Sequence, residues 1–226
     1  MAKLSQLQHE NYYNSKYELI PSVTTVLKLL NKPELVEWAN WMGRMGKDST
    51  QFTKESAEVG TYAHYIIERL CKKKIIHLKG MYEDLSSKQI SKVYSAVKGF
   101  KKWNKDHKPK FIHNELKLKN EYYGGTIDCI CEIDNHTYMI DFKTSKKIYP
   151  TYFLQLAGYN YLYKKEYGES LDYAGILMLD KSKGTYTFQY TDIESIEKSY
   201  EPVFIELLNL YYMWRGVLKN DWCTEL

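Results

Sequence analysis

The order of segment types along the 226 residues predicts an α/β fold: a mixed β-sheet of about five strands, flanked by helices and preceded by an N-terminal helical extension. Three observations carry that expectation. Strand signals follow one another three times between residues 111 and 144. A helical stretch then opens at Pro150 and Thr151 and serves as a crossover. The run Tyr-Ala-Gly-Ile-Leu-Met-Leu, within 172–179, is continuously apolar, as in a strand buried on both faces.

Residues 1–20 read as extended or irregular. Ser22 caps a short helix over 23–30, and Pro33 suits the first turn of a second helix that runs to about Gly43. Trp38 and Trp41 on that helix serve either as packing residues or as a stacking platform for bases. A long helix spans 49–71. His64 and Glu68 lie one turn apart on it, and Gly60 weakens it unless another group must approach closely. After a looser stretch, Ser86 or Ser87 caps a helix to about Asn104, whose buried stripe is Ile90, Val93, Tyr94, Val97, Phe100 and Trp103. Its basic end, with Lys101, Lys102, Trp103 and Lys105, reads either as a phosphate-tracking patch or as a solvated helix terminus.

The three strands cover 111–119, 122–133 and 137–144. The crossover helix runs from Pro150 to about Tyr167, and Gly168 stops it. The apolar strand ends at Leu179, and 185–191 alternates like a more exposed strand. Asp192 caps a last long helix to about Lys219. Together these segments make one domain: a helical segment (1–48), a core (49–191) and a C-terminal helix (192–226).

Within the core, the hairpin from Gly124 to Thr144 places Asp128, Asp141 and Lys143 where strands usually carry apolar side chains. A two-residue loop at Asn135-His136 sets Asp128 opposite Lys143, and a four-residue loop closed by Ile133 and Tyr138 gives the same register. A three-residue loop would separate the two groups onto opposite faces. The first two turns gather two carboxylates and an ammonium on one face, a pattern that fits a divalent metal with a charged helper; a structural salt bridge is the competing account.

Composition narrows the classes further. The formal charge of +4 permits an anionic partner, and only Arg44, Arg69 and Arg215 are arginines, so phosphate contacts would be lysine point charges. Twenty-two tyrosines stand against 7 phenylalanines, offering many flat faces with hydroxyls. No apolar run approaches the roughly 20 residues of a membrane-spanning helix, and the first ten residues lack a signal-peptide core. Cys71, Cys129, Cys131 and Cys223 form neither a C-x-x-C pair nor a zinc spacing, which points to free thiols in a reducing cytoplasm.

In order, Gly-Thr-x-x-His64-x-x-x-Glu68, Gly-Gly-Thr-Ile-Asp128, Asp141-x-Lys143 and Gln155-x-x-x-Tyr159 resemble the PD-(D/E)xK nuclease superfamily and its RecB-like exonuclease branch. Pro21-Ser-Val-Thr-Thr-Val resembles a segment of phage-type members and of the mitochondrial genome maintenance exonuclease, so the resemblance covers about residues 20–165. It implies a restriction-endonuclease-like core and a metal-dependent DNA exonuclease acting on single strands or ends, in recombination, repair or phage DNA metabolism. The resemblance further implies Mg²⁺ or Mn²⁺ held by His64, Asp128, Asp141 and the Phe142 carbonyl, with Glu68 and Glu115 behind them. Lys143 would orient the attacking water or neutralise the developing phosphorane, with Gln155 and Tyr159 at the rim, where the amide orients Lys143 and the phenol touches DNA. A single C-terminal cysteine, Cys223, makes the iron–sulfur cluster of a related CRISPR-adaptation family an unexpected feature here. Any helicase, recombinase or single-strand-binding protein would be a separate partner, in the cytoplasm of a bacterium or phage-infected cell. A structure-specific or restriction-type endonuclease, or a non-catalytic binding module on the same fold, is the alternative.

Overall fold

A computed structural model describes residues 11–219 of the chain; the opening ten residues and Cys223 lie outside that range. The chain enters through a small antiparallel hairpin, β1 (Tyr12–Tyr13) and β2 (Leu19–Ile20). The helix expected over 23–30 is only α1 (Val23–Val26), capped by the Ser22 hydroxyl and continued by a 3₁₀ turn, Leu27–Leu29. Its β-branched sequence Val-Thr-Thr-Val supports a long α-helix poorly. Next come α2 (Pro33–Arg44) and α3 (Ser49–Cys71), the latter capped by the Asp48 carboxylate. The looser stretch contains a short helix that the sequence pattern does not show, α4 (Lys79–Asp84), anchored where the Tyr62 hydroxyl donates to Asp84. A reciprocal Ser86–Gln89 capping box starts α5 (Ser87–His107).

The sheet has the order β3 (Lys110–Lys119), β4 (Gly124–Ile133), β5 (His136–Lys143), β6 (Tyr173–Leu179), β7 (Tyr186–Asp192). Every neighbouring pair is antiparallel except β5 and β6, which α6 (Pro150–Tyr167) joins as a parallel crossover, so the sheet is mixed as expected. On one face lie α1, α6 and α8 (Glu201–Lys219), whose core includes Val23, Leu156, Phe204, Ile130, Met139 and Ile176. On the other, α3 and α5 bury Ile67, Val93, Trp103, Cys129, Ile140 and Leu177. Successive residues of β6 serve opposite cores, which explains its unbroken apolar run. Cys71, Cys129 and Cys131 are buried free thiols.

The single helix expected after Asp192 is divided into α7 (Ile193–Ser195), a π turn (Ile196–Tyr200) and α8. Pro202, with no N–H to offer the preceding turn, accounts for the wide turn just before it. Among the described residues, no helix is long and apolar enough to cross a membrane.

The β4–β5 turn differs from expectation by one position. Its two loop residues are Asp134 and Asn135, both with left-handed backbone (φ 51° and 65°), and Ile133 pairs with His136. Aspartate and asparagine tolerate that conformation, so Asp-Asn makes the tight turn instead of Asn-His. The register consequently moves by two residues, which preserves the faces, and Asp128 comes level with Asp141 instead of Lys143.

Candidate active site

Side chains from four elements meet where β4 and β5 part. Their ladder ends at Cys129 and Ile140, and beyond it the Phe142 amide donates to Asp128 Oδ2 at 2.7 Å. The carboxylate thus replaces a backbone acceptor and sits between the strands. Alternation slips here: Ile127 joins the core of Ile130 and Met139, whereas strict alternation places it with Cys129.

On β5, Asp141 is 2% exposed. Its Oδ1 accepts from Gln155 Nε2 (2.8 Å), and Lys143 Nζ lies 2.7 Å from Oδ2. That second contact is a close ion pair between a buried carboxylate and an ammonium. Lys143 donates to Gln155 Oε1 at 2.9 Å, and Gln155 Nε2 also donates to the Tyr159 hydroxyl at 2.8 Å. The amide of Gln155 therefore fixes both ends of the Asp141–Lys143 pair. Neither Gln155 nor Tyr159 stands at the rim: both are buried, and the phenol is tied to Gln155 where contact with a strand was expected. Gly125 leaves room for it, since a Cβ there would lie 2.5 Å from the Tyr159 ring.

The α3 helix brings His64 Nδ1 to 3.5 Å from Asp128 Oδ1. Close approach of Gly60 to Thr144, 3.3 Å from where its Cβ would stand, accounts for a glycine inside that helix. Glu115, on β3, has left-handed backbone (φ 53°) in the middle of a strand, a costly conformation that turns its carboxylate toward the same point. Ligand atoms of His64, Glu115 and Asp128 lie within 4.8 Å of one another. Glu115, expected behind the other candidates, thus stands level with His64 and Asp128. Asp141 stands beside the trio, and Phe142 meets it through its amide and through its ring, 6.0 Å from the His64 ring. Glu68 pairs with Lys72 (2.7 Å) on the cleft wall, not with His64.

The electrostatics are those of excess negative charge drawn out of water. Burial, with Asp128 nearby, raises Glu115 to about 7, and burial with the same neighbour raises Asp141 to about 6 against the pull of Lys143. Burial opposes charge on His64, yet Asp128 outweighs it and lifts the imidazole to about 9. For Asp128 the balance is reversed: burial raises it, but His64, Lys143 and the Phe142 N–H together hold it below its ordinary value. Carboxylates held together with one imidazole form an oxygen-rich, nitrogen-assisted donor set.

The site opens into a cleft of about 1100 Å³. Sequence reasoning missed most of its walls: Tyr12 and Tyr13 of the entrance hairpin, Lys117 and Lys119 of β3, Tyr152 of α6, and Lys181 of the β6–β7 turn. The hairpin is fixed there because the Tyr12 hydroxyl bonds Thr126 Oγ1 (2.6 Å) and the Tyr12 ring occupies the space beside Gly124. Only that second use of the Gly-Gly pair, a place for a ring, was available as a sequence signal. The expected strand-binding residues fare differently. Trp103 is in the core, packed on Phe100 and Phe188, because the stripe of α5 faces the sheet. Lys101, Lys102 and Lys105 are exposed but do not line the cleft. Trp38 is half-buried against Phe52, and Trp41 is 48% exposed.

No family model matches the chain, and no curated protein matches it. Among solved structures it is similar to one described as the crystal structure of SSO0001, with 16% identity, 94% of this chain and 81% of that chain covered, and a TM-score of 0.44.

Proposed function

We propose that this chain is a metal-dependent nuclease of the PD-(D/E)xK type with a restriction-endonuclease-like core, an exonuclease that hydrolyses phosphodiester bonds in single-stranded DNA or at DNA ends. The observation that carries the reading is one arrangement. Lys143 is held between Asp141 and Gln155 beside the His64–Glu115–Asp128 trio, at the floor of a cleft walled by tyrosines and lysines.

A Mg²⁺ or Mn²⁺ ion held by His64, Glu115, Asp128 and Asp141 would supply positive charge at the scissile phosphate and lower the pKa of a coordinated water. The chain's own groups do the rest. Lys143, raised above the ordinary lysine range because Asp141 and Asp128 outweigh its burial, stays charged and places an ammonium against the developing phosphorane. Gln155 keeps that ammonium aimed, and Tyr159 keeps Gln155 in place. Lysines 117, 119 and 181 provide counter-charge for the backbone, and the tyrosines provide faces for unpaired bases. We place the enzyme in a cytoplasm, bacterial or phage-infected, in recombination, repair or phage DNA metabolism. A helicase, recombinase or single-strand-binding protein would act as a separate partner.

Purified protein with Mg²⁺ or Mn²⁺ should shorten end-labelled single-stranded DNA and leave a closed single-stranded circle intact. Cutting of the circle would instead mark an endonuclease. Undiminished activity in EDTA would reject the metal-dependent mechanism, and binding with no cleavage under any divalent ion would mark a non-catalytic module.

A further inference from the structure

The two edges of the sheet are built differently. β3 carries Lys110, Lys117 and Lys119, a register shift between Phe111 and His113, and the left-handed Glu115. Lysines and irregularities of that kind keep an edge from pairing with another chain. On β7 they are missing: Tyr186-Thr-Phe-Gln-Tyr-Thr-Asp192 runs in unbroken register against β6, without lysine, proline or glycine. Two flanking bonds, from the Asp180 amide to the Thr185 carbonyl and from the Ile193 amide to the Asp172 carbonyl, fix the phase of that ladder. The odd-numbered residues of β7 bond β6, so the N–H and C=O groups of Tyr186, Phe188 and Tyr190 point outward. Among the described residues, nothing is hydrogen-bonded to those groups.

The side chains tell the same story. Tyr190, 49% exposed, ends an aromatic row, its ring 5.1 Å from Phe188, 5.4 Å from Tyr138 and 5.5 Å from Tyr173. The last residue of α5, His107, packs on Phe188, and the row beyond it stays open.

We infer that β7 is an interface between two copies of this chain, paired antiparallel about a twofold axis at Gln189. The strand is nearly self-complementary about that residue. Phe188 of each copy would exchange both backbone bonds with Tyr190 of the other, Thr187 would face Thr191, and Gln189 would face itself. Aromatic and threonine pairs are favourable cross-strand neighbours, and this register opposes no like charges. It also engages all seven residues of the strand, which a register moved along the edge would not. Two five-stranded sheets would then form one. Lys181, at the start of β7, lines the cleft, so the two clefts would lie at opposite ends of the shared edge. No part of this rests on the nuclease reading.

Sedimentation velocity on the full chain from about 1 to 100 μM, the range for a small interface, should show a dimer growing with concentration. Gln189→Lys places two ammonium stems opposite each other on strands whose Cα atoms are about 4.5 Å apart, and should weaken association at least tenfold. Gln189→Glu should do the same. Mixed in equal amounts the two variants should associate again, because lysine then faces glutamate. Gln189 is exposed, so neither change touches the core, and recovery on mixing separates lost pairing from lost folding. A wild type that stays monomeric throughout would overturn the inference and leave the edge to an extended strand of another protein. A dimer indifferent to Gln189→Lys would overturn it too, and would point instead to Leu210 and Trp214, exposed on α8. Variants that remain apart when mixed would refute the axis at Gln189.

Discussion

The Asp128 carboxylate accepts the Phe142 amide N–H across the gap between β4 and β5, at 2.7 Å. That bond lets the two strands separate without stranding a buried donor, and it points the other carboxylate oxygen at His64. Two substitutions of Asp128 should therefore separate its two roles, beginning with Asp128→Asn. Its amide can still accept from Phe142 through Oδ1 but brings no charge, so divalent-ion affinity should fall at least tenfold while thermal stability changes little. Asp128→Ala should also lower stability, by about 1–3 kcal/mol, because the Phe142 N–H is left unpaired. Isothermal titration with Mn²⁺ and thermal melts separate the two effects.

Lys143→Ala should reduce the single-turnover hydrolysis rate by a factor of about 10²–10³, the scale of one lost transition-state donor, and leave strand affinity within a few fold. Gln155→Ala should give a smaller loss in rate and Tyr159→Phe a smaller one still, because each acts through its neighbour. A Tyr159→Phe variant slower than Gln155→Ala would break that chain of support.

The metal-free protein should lose stability as pH rises. Asp141 is raised from 3.8 to about 6, Glu115 from 4.5 to about 7 and His64 from 6.5 to about 9, so the folded state binds protons more tightly than the unfolded chain. Each group's contribution is complete below its unfolded value and disappears as pH passes its folded value, which sets a window from about pH 4 to pH 9. Asp128 runs the opposite way, but its window closes below about pH 4. Melts in EDTA should fall across pH 5–9, and less steeply in Glu115→Gln. Added Mn²⁺ should raise the melting temperature most at the alkaline end, where protons no longer compete.

Gly125→Ala should destabilise the fold by about 1–3 kcal/mol, since the new methyl meets the Tyr159 ring at 2.5 Å in a packed core. Its effect on turnover should resemble that of Tyr159→Phe, because a displaced ring loses Gln155. Retention of wild-type melting temperature and rate would show that Tyr159 has room to move.

Replacing Lys101, Lys102 and Lys105 together by alanine should leave KM for single-stranded DNA within about twofold, since the basic end of α5 lies outside the cleft. A tenfold rise in KM would mean that the strand runs across α5.

Much of the architecture was legible because its signals are local. Caps at Ser22, Ser86 and Asp192, the stop at Gly168 and the twofold-apolar run of β6 each act within a few residues. The gathering of Asp128, Asp141 and Lys143 was legible for a narrower reason: a register error of two residues leaves every face unchanged. What was not legible depends on partners distant in sequence. Glu115 reaches His64 and Asp128 through a left-handed backbone residue that no pattern marks. Trp103 belongs to the core because α5 turns its stripe to the sheet, although its lysine neighbours look like a binding patch. Tyr12 reaches the cleft through a ring seated beside Gly124, more than a hundred residues away.

The Asp134-Asn135 turn is exposed and lies six or more residues along its strands from Asp128, roughly 20 Å at about 3.3 Å per residue. It is therefore a natural point of attachment. A short peptide handle inserted between Asp134 and Asn135 would anchor one molecule to a coated bead while its mouth stays open to solution. Progress along a stretched strand could then be followed one nucleotide at a time.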